Sequence, residues 1–294
     1  MKITLTGSLG NISKPLAQEL IAQGHEVTII TSKVQKQQEI EALGAKAAVG
    51  LVEDAEFLKT AFAGADAVYG MTPPNFSVPD TIKYYVEVAD AYYQAVKSAG
   101  VKHIVYLSSY GADLEKGSGV IRGSHIAEDV LSELPNVAVT FLRPGYFYSN
   151  LYNFMGMIKG QGVIGANFGG DDKLVMVSHL DIAAAAAEEL TDTAPQNKIR
   201  YIASDERTCN EVAKLIGEAI GKPDLQWLTY TDEQVTKRRL DHGMSPDMVE
   251  LLVELGAAIH TGLLRSDYEK HKPALARVKV DEFIKEFAAA YYKN

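Results

Sequence analysis

Gly7, Gly10 and Ser13 stand near the start of the chain in the spacing G-x-x-G-x-x-S. Glycine has no Cβ, so a turn built on it bends tightly and lets backbone N–H groups approach a bulky anion. Where a helix begins directly after such a turn, its first N–H groups lack intrahelical partners and its dipole adds partial positive charge. That combination holds phosphate, and between a strand and a helix it holds the pyrophosphate of a dinucleotide. Ser13 is small enough for the helix to lie close to the strand.

The flanking residues supply this context. Lys2 to Thr6 alternates around Ile3 and Leu5, as a strand does. Leu16, Ala17, Leu20 and Ile21 give one apolar helical face, and Gly24 suits the helix end. Val27 to Ile30 is a β-branched run that returns as a parallel strand. The pattern therefore predicts that Gly7, Ser8, Leu9, Gly10, Asn11 and Ile12 contact a cofactor. At the tip of the second strand an acidic residue would hold the ribose hydroxyl of NAD, and a basic one the extra phosphate of NADP. Thr31, Ser32 and Lys33 stand there without an acid, which favours NADP(H) over NAD(H).

Downstream, strands and helices keep alternating. A helix is expected over Lys36–Leu43, a strand over Ala45–Val49, a helix around Phe57, Leu58 and Phe62, and a strand from Ala67. The loop Met71-Thr72-Pro73-Pro74 follows, with Met71, Thr72 and Pro73 as further cofactor contacts. A long helix (Tyr84–Ala99) leads to a strand (His103–Leu107) ending in Ser108-Ser109-Tyr110, and another strand spans Val137–Leu142. This alternation predicts the α/β class: a doubly wound parallel sheet in the order 3-2-1-4-5-6. An edge strand near Arg200–Ala203 extends it, and a smaller, mostly helical carboxyl-terminal substrate domain completes the chain. Residues 1–150, with 174–204 returning, form the expected nucleotide domain; 151–173 and 205–294 form the substrate domain, a lid over the cleft. Within it Gly156–Asp172 reads as a glycine-rich loop, and Thr208 and Thr231 read as helix starts.

Composition narrows the function classes. The chain has 294 residues, 47% hydrophobic, with a net charge of −9. That acidity argues against a nucleic-acid partner. The short basic run Lys237-Arg238-Arg239 reads as a solvated helix face. No apolar run reaches membrane-span length, and the opening strand suggests that no signal peptide precedes the fold. A lone Cys209 fits a reducing, cytoplasmic setting, and the scattered histidines suggest no metal site.

The order of landmarks resembles the NmrA-like family of atypical short-chain dehydrogenases/reductases. The glycine turn, Met71-Thr72-Pro73-Pro74 and Val105-Tyr106-Leu107-Ser108-Ser109 carry the likeness. Ile126-Ala127-Glu128, Thr140 to Phe147 and Val177 to Ala183 continue it. The resemblance implies an NAD(P)-binding cleft, with Ser108, Pro144, Gly145, Tyr146 and Phe147 near the nicotinamide and Lys33 near the adenosine end. It also implies an NAD(P)H-dependent reductase of small conjugated acceptors such as quinones, or alternatively a non-catalytic redox sensor. Tyr146, Phe147, Tyr148, Tyr152 and Phe154 suit a flat aromatic substrate. A homodimer is compatible with the chain.

The chain departs from the family's proton-donating Tyr-x-x-x-Lys pair. Arg122-Gly123-Ser124-His125-Ile126-Ala127-Glu128 stands where that pair belongs, and Tyr93/Lys97 and Tyr268/Lys272 match the spacing elsewhere by chance. Tyr146, Ser108, Tyr110 and His125 remain as catalytic candidates. A quinone can dispense with the pair, because its reduced oxygen can take a proton from water.

Overall fold

In a computed structural model, described for residues 1–75 and 77–293, the first strand β1 (Lys2–Leu5) leads through the glycine turn into α1 (Ser13–Ala22). The chain continues through β2 (Glu26–Thr31), α2 (Gln37–Ala42), β3 (Lys46–Val49), α3 (Ala55–Phe62), β4 (Ala67–Met71) and α4 (Thr81–Ala99). Then come β5 (His103–Leu107), α5 (Arg122–Ser132), β6 (Ala138–Pro144), β7 (Tyr146–Phe147), α6 (Met155–Gln161), β8 (Val163–Ala166) and β9 (Lys173–Val177). The last elements are α7 (His179–Leu190), β10 (Lys198–Ile202), β11 (Asp205–Thr208), α8 (Cys209–Ala219), β12 (Gln226–Thr229), α9 (Asp232–Asp241), α10 (Pro246–His260) and α11 (Val280–Lys293).

These elements divide into two units. The first comprises Met1–Ser109, Gly123–Arg143 and Ile182–Arg200; the second comprises Tyr110–Arg122, Pro144–Asp181 and Tyr201–Asn294. Residues 110–122, 144–150, 174–181 and 201–204, expected in the nucleotide domain, thus group with the second unit.

The first unit is built on a sheet in the order β10-β6-β5-β4-β1-β2-β3. Neighbours from β1 to β6 run parallel, with Leu5 opposite both Ile29 and Tyr69, and Tyr106 opposite Phe141. This is the expected 3-2-1-4-5-6 order with β10 at the edge. Leu58 and Phe62 of α3, Val88 and Tyr92 of α4, and Ala127 and Leu131 of α5 share one core with Ile30, Val68, Ile104 and Val139. Helices α1 and α7 bury their own apolar stripes, Leu16, Ala17 and Leu20 in one, Ile182, Ala186 and Leu190 in the other. Parallel pairing puts the carboxyl ends of β1, β2, β4 and β5 on one edge, where open α/β sheets hold their ligands.

The second unit has a core of its own. In it β9 pairs antiparallel with β11 and parallel with β7, while β8 pairs with β12. Tyr148 stacks on Phe283 with ring centroids 5.6 Å apart, and Trp227 donates from Nε1 to the Phe168 carbonyl at 2.9 Å. Complete capping boxes open α8 (Thr208 with Glu211) and α9 (Thr231 with Gln234).

The stretch 156–172 differs from the expected loop: most of α6 and all of β8 lie in it. Its glycines do structural work within elements. Gly162, at φ +71°, ends α6 in the left-handed conformation. Gly165 sits in β8 where a Cβ would stand 2.2 Å from Tyr230 Cε2. Close approach of a ring, not a turn, explains that glycine. The second unit is also less purely helical than expected, since β11 and β12 belong to it. No helix among the described residues is long and apolar enough to cross a membrane.

Candidate functional site

The glycine turn is held from three sides. Gly7 has φ +90° and Ser8 φ +54°, both in the left-handed region. Gly10 donates its N–H to the Gly7 carbonyl at 3.1 Å, and Ser13 Oγ donates to the Thr6 carbonyl at 2.8 Å. A Cβ on Gly7 would lie 2.5 Å from Ser13 Oγ, so the turn and the helix start fit only with glycine there. Gly10 and Asn11 are exposed, and α1 begins with no side-chain cap and no acid in its first turn. The helix start is thus left for an anion. An NAD(P) pyrophosphate fits this cradle by shape and by charge.

Thr31, at the end of β2, ties the neighbouring loops together. Its Oγ1 accepts from Ser8 Oγ at 2.9 Å and from the Lys33 N–H at 3.2 Å, and its carbonyl accepts from the Gly50 N–H at 3.0 Å. Ser32 and Lys33 are exposed. No ion pair engages Lys33 among the described residues, which leaves its ammonium open to a ligand phosphate.

The loop after β4 is fixed by a buried network absent from the sequence expectations. Tyr92 of α4 donates from its hydroxyl to Thr6 Oγ1 at 2.8 Å, and the Met71 N–H donates to the Tyr92 oxygen at 3.2 Å. Thr72 Oγ1 and the Tyr106 hydroxyl lie 2.6 Å apart. Burial raises the pKa of both phenols well above its usual value, so each stays neutral and keeps a proton to donate. Met71, Thr72 and Pro73 are thereby held beside the glycine turn; the Met71 side chain lies 3.6 Å from where a Gly7 Cβ would be.

Ser108, at the end of β5, belongs to a buried triad. Its Oγ donates to Glu128 Oε1 at 2.5 Å. Arg143, at the end of β6, grips the same carboxylate with Nε on Oε1 at 2.9 Å and Nη2 on Oε2 at 2.6 Å. All three residues are at most 6% exposed. The bidentate pair neutralises both buried charges and ties α5 to two strand ends. It also holds the Ser108 proton on Glu128, so the lone pairs of Ser108 are left to accept. His125 sits on α5, half-buried, with Nε2 3.4 Å from Asp129 Oδ2 one turn along.

The remaining candidates belong to the second unit. The Tyr110 N–H donates to the Pro144 carbonyl at 3.1 Å, and the Gly145 N–H to the Ile202 carbonyl at 3.0 Å. A Cβ on Gly145 would stand 2.4 Å from the Val175 carbonyl oxygen, so this glycine lets the chain lie against β9. Burial raises the pKa of Tyr110 and of Tyr146, which stay neutral phenols.

The aromatic run is less available to a ligand than its sequence suggests. Tyr148 is 2% exposed, Tyr152 stacks on Phe287 with centroids 5.4 Å apart, and Phe154 meets Trp227 edge-on at 5.0 Å. Those rings spend their faces on the unit's own core, and Tyr146, half-buried like Tyr152 and Phe154, packs against the same core.

Neither spaced tyrosine–lysine match forms a proton-donating pair. Lys97 lies over the Tyr93 ring at 5.3 Å. Tyr268 donates to Glu206 Oε1 at 2.7 Å, which Lys272 also contacts, and burial raises its pKa, the reverse of what a donor pair requires.

A model of the NmrA-like family matches residues 1–263. An NAD(P)H azoreductase from Xenophilus azovorans is 27% identical over 256 residues, 87% of this chain and 86% of its own. Among solved structures, the triphenylmethane reductase of Citrobacter sp. aligns with a TM-score of 0.82 at 21% identity, over 98% of this chain and 100% of its own. An NADPH-dependent quinone oxidoreductase from Escherichia coli, solved with NADPH, aligns with a TM-score of 0.75 at 19% identity, over 97% and 99% of the two chains.

Proposed function

The chain belongs to the NmrA-like family, and from that premise we propose that it is an NAD(P)H-dependent reductase of small conjugated acceptors such as quinones, with NADPH as the favoured donor. The observation that carries this reading is the glycine turn: left-handed at Gly7, closed by Ser13, and open to an anion at the uncapped start of α1. The names of its relatives, an NAD(P)H azoreductase and an NADPH-dependent quinone oxidoreductase, support a reductase of aromatic acceptors.

When bound, the nicotinamide supplies the hydride. The chain's own residues bind and orient. Gly7 to Ile12 hold the pyrophosphate through backbone N–H groups. Ser8, through Thr31, sets the position of Ser32 and Lys33, and Lys33 meets the extra phosphate of NADPH. Ser108, with its proton on Glu128, accepts a hydrogen bond from the cofactor. Tyr146, a neutral phenol, is the candidate donor to the acceptor's reduced oxygen. A quinone needs little more than alignment beside the donor, and its oxyanion can also be protonated by water.

The test is NADPH oxidation by the purified chain across quinones, azo dyes and aromatic aldehydes. Turnover that vanishes in Gly10→Val supports the reading. NADPH binding without turnover of any acceptor overturns it in favour of a redox sensor, a reading that the absent tyrosine–lysine pair on α5 keeps in view. Lys33→Ala is expected to weaken NADPH by about tenfold, the worth of one charged hydrogen bond, and NADH far less. Equal loss for both would remove the NADPH preference.

A further inference from the structure

In the order β10-β6-β5-β4-β1-β2-β3, β1 has β2 on one side and β4 on the other. The strand order reverses there, which opens a crevice at the carboxyl ends of β1 and β4 where open α/β sheets hold ligands. Tyr92 of α4 joins the two strands at that point. The Thr6 N–H donates to the Tyr69 carbonyl at 3.0 Å, as a parallel ladder requires. The next rung would run from the Met71 N–H to the Thr6 carbonyl. The chain turns away at Gly7, and that carbonyl accepts from Ser13 Oγ at 2.8 Å instead. The Met71 N–H goes to Thr6 Oγ1 and to the Tyr92 hydroxyl oxygen, each at 3.2 Å. Tyr92 in turn has two acceptors for its one proton, Thr6 Oγ1 at 2.8 Å and the Met71 carbonyl at 3.0 Å. A phenol thus stands in for the rung that the glycine turn removes.

Room for this phenol is built into β4. A Cβ on Gly70 would stand 3.2 Å from Tyr92 Cε1 and 3.0 Å from Tyr106 Cδ2, so glycine lets both rings lie against the strand. The Tyr92 ring is held without its hydroxyl, by Phe62 with centroids 6.2 Å apart and by Tyr106 at 5.8 Å. Tyr69, on the opposite face of β4, is as deeply buried, yet its hydroxyl has no partner among the described residues. Burial at this level of the sheet therefore does not by itself demand a bonded phenol. The bonded one is the one beside the crevice.

We propose that Tyr92 is a positioning residue for the dinucleotide: its hydroxyl ties the Met71–Pro73 loop to the glycine turn and so sets the width of the crevice between them. This rests on the cofactor part of the reductase reading.

Fluorescence titration of the full chain with NADPH tests it, with thermal melts alongside. Tyr92→Phe keeps the ring and removes the tie, so NADPH should bind about tenfold more weakly, the worth of one buried hydrogen bond. Tyr69→Phe, which deletes the unpartnered hydroxyl, should leave the affinity within about twofold. Thr6→Val should weaken binding about as much as Tyr92→Phe, and Thr6→Ser, which keeps the hydroxyl, should not. The double variant of Thr6→Val and Tyr92→Phe should lose little more than either alone, because the two hydroxyls act as one unit. A merely structural phenol would lower the Tm in Tyr92→Phe and leave the affinity as it was; that result overturns the proposal. So do losses that multiply in the double variant, or equal losses in Tyr92→Phe and Tyr69→Phe. An unaltered chain that binds no NADPH removes the cofactor reading and this proposal with it, whereas NADPH binding that ignores both Thr6 and Tyr92 removes the proposal alone.

Discussion

At the residue scale the two most demanding positions are Gly7 and Glu128. A Gly7→Ala substitution meets both a left-handed backbone and Ser13 Oγ at 2.5 Å, so it must break the Ser13–Thr6 hydrogen bond to fit. The expected loss is about 2 kcal/mol of stability, with loss of NADPH binding, read by urea denaturation and by cofactor fluorescence. Gly10 differs: it is exposed and keeps an ordinary φ, so its variants should lose the cofactor before they lose the fold. Glu128→Gln keeps the shape but removes the charge that balances buried Arg143. Loss of that buried charge balance should destabilise the chain by about 3 kcal/mol, seen as a lower urea midpoint. A midpoint shift of under about 1 kcal/mol would mean that Arg143 is satisfied without the carboxylate.

At the scale of elements, Thr208 illustrates how caps act. Its Oγ1 accepts from the Glu211 N–H at 3.1 Å, and its own N–H donates to Glu211 Oε2 at 2.7 Å, which holds that carboxyl below its usual range. Thr208→Ala should remove about 1 kcal/mol, measured as a drop in Tm of a few degrees. Both helix starts were legible in the sequence, that of α8 because the Thr208-x-x-Glu211 spacing is itself the mechanism. The strands of the parallel sheet were legible for a similar reason: β-branched runs such as Val27–Ile30 repeat between glycine-closed helices. Strands β7, β8, β11 and β12 were not, since two to four residues without a regular strand–helix alternation around them leave little to read. The glycine turn was readable because its residues are adjacent. The Glu128–Arg143 pair and the Tyr92–Thr6 bond were not, since sequence separations of 15 and 86 leave no local trace.

Across the whole molecule, burial of neutral histidines sets the response to acid. His103, in the first unit, is 3% exposed; its Nε2 lies 3.4 Å from Thr140 Oγ1 and its Nδ1 has no partner. Burial holds its pKa below the usual 6.5, against the pull of Glu189 and Asp192 and with the push of Lys198. His179, in the second unit, is shifted the same way by burial, opposed by Glu286. In each case the unfolded chain takes up a proton near pH 6.5 that the folded chain refuses, so acidification favours unfolding. The stability from these groups is therefore full above about pH 7, and each removes up to about 1.4 kcal/mol per pH unit until its folded pKa is reached. Below pH 4.5 the carboxylates held low by hydrogen bonds, Glu211 among them, add their own loss in the same direction. The urea midpoint should accordingly fall between pH 7 and pH 5. His103→Gln should flatten that fall, and adding His179→Gln should flatten it further. A slope that survives both substitutions would mean that neither histidine is held neutral in the fold.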